Sequence, residues 1–198
     1  MELISKVHPE MNNFFLRLER ALQNLPNNPK PECKGFYLAF YDGQTGITTC
    51  EPLGFIPEEK RFKYNYFAQK KCAQTLYLNK RRSKAFAKDK LEQYAGGIRC
   101  DYVPANKENV VKGKIIDCAG VSGHESMVDE AIAALFIIAR RINIIHSDGS
   151  TGSTFMETSI FANHLLTMAN VQRNGIAPDN HWITIIAELI VEQTKVSA

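Results

Sequence analysis

Gly120–Val121–Ser122–Gly123–His124 sits where an apolar run, Lys114–Ala119, breaks and a helix-period stretch from Met127 through Ile142 begins. A strand–turn–helix junction of this kind aims the first free amides of the helix at whatever lies above the strand end, which suits a carboxylate or phosphate. Gly120, Ser122, Gly123 and His124 are therefore the candidate ligand-binding residues. The helix dipole disfavours an imidazolium beside it, so His124 is expected to be neutral, as a general base or metal ligand must be. His124 is the one weak candidate for catalysis. Its alternative is a solvent-facing turn residue.

Nearby groups offer less. Ser122 has no histidine or acid arranged to make it a nucleophile, and a Gly-x-Ser-x-Gly elbow would need glycine at position 124, which is His. Asp129 and Glu130 are neighbours on a helix and point about 100° apart, so they cannot act on one atom together. They read as first-turn acids that favour the dipole, with Ser126 and Asp129 forming a capping box. His8, His146, His164 and His181 are scattered, and no HExxH spacing occurs, so no metal site is expected. The five cysteines, Cys33, Cys50, Cys72, Cys100 and Cys118, make no CxxC pair and read as reduced. Cys100 and Cys118 fall on two strands expected to neighbour each other, which leaves an oxidation-sensitive couple open.

Those residues need elements to hold them. Pro9–Leu25 carries Phe14, Phe15, Leu18, Leu22 and Leu25 at helical spacing. Phe36–Tyr41 and Ile47–Cys50 flank turn chemistry at Asp42–Gly46 and predict a hairpin, its aromatics divided between a core face and a second face. A charged helix follows from about Glu58 to Leu78, its apolar positions being Phe62, Tyr66, Phe67, Leu76 and Tyr77. Lys80–Arg81–Arg82 reads as a solvated helix end whose cations suit the dipole. A short helix is expected over Ser83–Tyr94, then a strand pair, Ile98–Val103 and Val110–Ala119, then the long helix to about Asn143. The Ser147–Thr154 loop is the clearest break in composition. Beyond it lie two amphipathic helices, about Phe155–Val171 and Asn180–Gln193, the latter rich in Trp182, Ile183, Ile185, Ile186, Leu189 and Ile190. Hairpins with short turns and segregated helices predict an α+β layer structure with an antiparallel sheet. No GxGxxG follows a strand, so the pattern is not that of a dinucleotide-binding fold.

The Gly-Val-Ser-Gly turn, its spacer, and Asp129–Glu130–Ala131–Ile132–Ala133 resemble the GlcG/HbpS-like family, which includes the C-terminal domain of PduO-type proteins. Tyr41–Asp42–Gly43 is a second, weaker match, and the resemblance covers about Pro9 to Asn143. It implies a profilin-like fold, usually assembled as oligomers. Some members bind heme; others accompany small-acid or diol catabolism without an assigned reaction. The chain departs from the pattern at His124, where a second glycine is usual, and at Glu125, where Thr is common.

The bounds on function are broad. Of 198 residues, 44% are hydrophobic and 23% charged, as in ordinary soluble domains. A net charge of +3, from 24 basic and 21 acidic residues, is too small to argue for nucleic acid or membrane partners. Met1–Pro9 lacks an apolar core of signal-peptide length, and no window approaches about 18 apolar residues, so cytoplasmic residence is the expectation. The division expected is an α+β domain over 1–146 and a C-terminal helical hairpin over 147–198, packed on the core or at a subunit interface. Three classes stand open. The first is an oligomeric binder of a small molecule, heme or a small organic acid by resemblance. The second is a lyase, isomerase or hydrolase on a carboxylated metabolite with His124 as base, and the third a scaffold using the C-terminal helices.

Overall fold

The inner strands follow from sequence that is apolar on both faces. β1 (Lys34–Tyr41) and β4 (Ile115–Ser122) are buried almost throughout, whereas β2 (Thr48–Phe55) alternates and lies at an edge. A computed structural model describes residues 2–28, 30–79, 81–83, 95–102, 115–146, 162–171 and 181–195. Its sheet runs β2–β1–β4–β3, with β3 at Gly97–Tyr102, and every pair is antiparallel. In the β1–β2 turn the Gln44 and Thr45 amides donate to Asp42 Oδ1 at 2.8 and 3.4 Å. This is the expected turn chemistry. Arg140 adds an unforeseen pair to Asp42 at 2.7 Å.

The two sheet faces are covered unequally. On one lies α2 (Glu58–Tyr77), over Tyr37, Ala39 and Cys118. On the other, Phe36, Leu38, Phe40, Ala119 and Val121 meet α3 (Ser126–His146). Behind α3 stand α1 (Asn12–Gln23), α4 (162–171) and α5 (Trp182–Lys195), all within the same apolar cluster. Phe136 of α3 anchors it, stacking on Phe15 at 5.8 Å and meeting Phe40 edge-on at 5.0 Å. The chain is thus α+β. Leu165 of α4 and Ile183, Ile186 and Ile190 of α5 are buried in this core.

Several expectations need correction. α2 turns Phe62 and Tyr77 outward, 84% and 80% exposed, and presents Ala68, Lys71, Cys72 and Thr75 to the sheet. Small residues win there because the helix backbone comes very close to β4: a Cβ at Gly120 would lie 2.2 Å from the Ala68 carbonyl oxygen. Cys100 lies opposite Asp117, and Cys118 opposite Arg99, so the two thiols leave opposite faces of the sheet. Cys118 instead has its carbonyl 3.4 Å from Cys72 Sγ, and burial raises both thiols, Cys118 to about 12. All five cysteines are free. The helix expected over Ser83–Tyr94, apart from Ser83, and the Ser147–Thr154 loop lie outside the described residues.

Candidate functional site

β4 continues through Gly120, Val121 and Ser122, which were expected to form the turn, because all three pair with β1. Only Gly123–Glu125 link the strand to α3, and the four candidate residues face different surroundings. Gly120 faces α2 and is consumed by helix–sheet packing, its absent side chain making room for Ala68 and Cys72. Ser122 pairs with Tyr37 across the sheet and is buried. A Cβ at Gly123 would sit 2.6 Å from the Gly35 carbonyl oxygen and from Phe36 Cβ, so this glycine wedges the turn against β1. His124 is 9% exposed, its ring 5.8 Å from that of Phe36, and is therefore not the solvent-facing residue a lone turn histidine suggests.

Asp129 organises the turn. Its Oδ1 accepts the His124 amide at 2.9 Å and its Oδ2 lies 3.1 Å from Lys71 Nζ, which also donates to the Val121 carbonyl at 2.7 Å. The carboxylate therefore closes the turn two residues earlier than a Ser126–Asp129 box would. Lys71 and Asp129 are 2% and 3% exposed in their side chains, a buried pair joining α2 to α3 around the end of β4. Gly96 completes the enclosure with φ +111°, since a Cβ there would lie 2.9 Å from Lys71 Nζ. Glu130 diverges from Asp129, as adjacent helix positions must, and takes Arg82 in two bonds of 2.8 and 2.5 Å. Arg82 is thus a structural partner of a buried acid, where the sequence suggested a solvated cation.

The electrostatics set protonation states. Burial, then the nearby Lys30 ammonium, lowers the His124 imidazole from 6.5 to about 4, with Glu32 opposing. The neutral ring expected from the helix dipole is present here mainly because of desolvation. Burial raises the Asp129 carboxyl to about 6, against the pull of Lys71 and the His124 amide. Burial likewise raises the Cys33 thiol and the Tyr64 phenol, both of which also feel Asp129. Lys30, Cys33, Tyr64, Lys71 and Gly96 are therefore part of this neighbourhood. Each arrives from another element, and no spacing to the Gly120–His124 stretch marks them.

At this junction one atom has unsatisfied chemistry: the buried Nε2 of His124 has no hydrogen-bond partner among the described residues. Such an atom ordinarily finds one. Iron could be held by an imidazole nitrogen, but the residues fit heme poorly. Nε2 is shut off from solvent and the ring lies 5.8 Å from that of Phe36, so a porphyrin plate could reach the nitrogen only if neighbouring residues moved. Lys30 and Glu32 lie close enough to act on the ring electrostatically, and Pro31 and Glu32 are exposed. Among the described residues no group of three or more His, Cys, Asp and Glu could hold a metal ion, and no helix is long and apolar enough to cross a membrane. Compared with known proteins, the chain matches no family model, no curated protein and no solved structure.

Proposed function

We propose that this chain is a small-ligand-binding protein whose ligand is a small organic acid held at the β4–α3 turn. The observation that carries the reading is the buried, neutral His124 ring with its unpartnered Nε2. A ligand hydroxyl or carboxyl oxygen would satisfy that nitrogen, Lys30 would offset its charge, and the N-terminus of α3 would favour an anion. The GlcG/HbpS-like resemblance supports the same setting, that of a cytoplasmic, profilin-like, oligomeric binder. Binding is favoured over general-base catalysis because an imidazole at about 4 is a weak base at neutral pH.

The test is calorimetric titration of the full chain with glycolate, lactate and succinate, beside His124→Ala and Lys30→Ala. Saturable binding lost in the first variant and weakened in the second is the expected result. Binding that survives His124→Ala, or no saturable heat with any acid, would overturn it. Hemin is titrated in parallel by absorption. A saturable, shifted Soret band lost in His124→Ala would replace the small acid with heme.

A further inference from the structure

The outer face of α2 carries the two most exposed large apolar side chains among the described residues, Phe62 and Tyr77. Phe62, Tyr66 and Tyr77 are 84%, 49% and 80% exposed and, with Ala73, recur at helical spacing along one side. Together with Thr48 of the β2 edge they line an open groove of about 560 Å³. Among the described residues the sheet face beneath carries one helix, whereas the opposite face has α3 backed by three more. Exposed aromatics at such density mark an interface.

The sequence of the stripe is complementary to itself. In an antiparallel pair of α2 helices with its dyad between Gln69 and Lys70, Phe62 stands opposite the second copy's Tyr77. Tyr66 then stands opposite the second copy's Ala73, large against small. The same arrangement brings the acidic start of each helix, Glu58–Glu59, to the end where Arg81 follows in the other. A parallel arrangement sets like charge on like. Antiparallel packing also opposes the two macrodipoles favourably. Lys70, nearest the dyad, donates to its own Tyr66 hydroxyl at 3.2 Å, which directs its charge along the helix.

From this pattern we infer that α2 is the interface of an isologous dimer, its occupant being the α2 of a second copy of this chain. The inference is independent of the ligand reading, since no residue of the β4–α3 turn takes part.

Sedimentation velocity of the full chain over about 1–100 μM tests it. The wild type is expected to dimerise, and Phe62→Ser and Ala73→Arg each to weaken the dimer at least about tenfold. At concentrations where the wild type is monomeric, the thermal melt of Phe62→Ser should match it, because that side chain is 84% exposed in one chain. Reversing the end charges, Glu58→Lys with Glu59→Lys, should weaken association, and adding Arg81→Glu should restore it. A wild type that stays monomeric throughout, or a dimer indifferent to both Phe62→Ser and Ala73→Arg, overturns the inference. Recovery of an acidic peptide on this face by a monomeric wild type does so too.

Discussion

His124 and Asp129 are joined by one hydrogen bond yet move stability in opposite directions with pH. The folded imidazole titrates near 4 against an ordinary 6.5. As pH falls from 6.5 to 4, the unfolded chain takes up a proton that the folded chain refuses, and stability is lost. Over that window the loss is roughly 3 kcal/mol. Asp129 is raised from 3.8 to about 6, so between 6 and 3.8 the folded state binds the extra proton and stability rises by a comparable amount. In the wild type the two nearly cancel below pH 6. Measured against it by urea denaturation, His124→Gln should gain stability as pH drops from 6 to 4, and Asp129→Asn should lose it. Slopes of the same sign in both variants would refute the assignment. Lys71→Met is a separate matter. It leaves a buried carboxylate uncompensated, and at neutral pH should cost about 3–5 kcal/mol. The sequence pointed to His124 and its neutrality. Spacing did not link Lys71 to Asp129, 58 positions away; the family resemblance touches Lys71 only as a lysine one position out of a Lys-Ala-x-Thr pattern.

At the scale of elements, glycine distinguishes packing from turn conformation. Gly120 occupies a strand position where a Cβ would meet α2 backbone at 2.2 and 2.6 Å, and neither atom can swing aside. Gly46 has φ +73° but nothing within 4 Å of its would-be Cβ. Gly120→Ala must lift α2 off β4 and should cost about 3 kcal/mol, as overpacking a rigid contact does. Gly46→Ala bears only the left-handed backbone penalty, about 1 kcal/mol. Equilibrium unfolding of the two variants ranks them, and a Gly46→Ala cost above that of Gly120→Ala would contradict this packing. Periodicity made β1, β4, α1, α3 and the C-terminal helix readable. The facing of α2 was not readable, because its large apolar residues suggest a buried stripe at Phe62, Tyr66 and Tyr77. What decides the matter is the glycine of another element, about fifty positions away, which lets the small side of the helix come closest. The same glycine, seen in sequence beside Ser122 and His124, reads as room for a ligand when its space belongs to α2.

For the molecule as a whole, α3 sets the architecture. From Ala131 to Ala139 every side chain is buried, so this helix has no polar face to turn to water and must be covered on all sides. The sheet covers one side, through Phe36, Phe40, Ala119 and Val121, and α1, α4 and α5 pack in the same cluster on the others. Residues 147–198 are separable in sequence, set off by a loop rich in Ser, Thr and Gly, yet Ile183, Ile186 and Ile190 of α5 are fully buried against the same core. Composition reveals the break in the chain but not the continuity of the core. A chain ending at residue 146 would leave one side of an all-apolar helix in water, and should aggregate or lose the near-ultraviolet dichroism of packed aromatics. Ile186→Ala removes part of that cover and should cost about 2–5 kcal/mol while the chain still folds. A soluble 1–146 chain with an intact aromatic signal and a cooperative melt would mean that α5 is an accessory. The graded result, a weakened point variant and a failed truncation, would instead make the C-terminal helices part of the one core on which the β4–α3 turn is built.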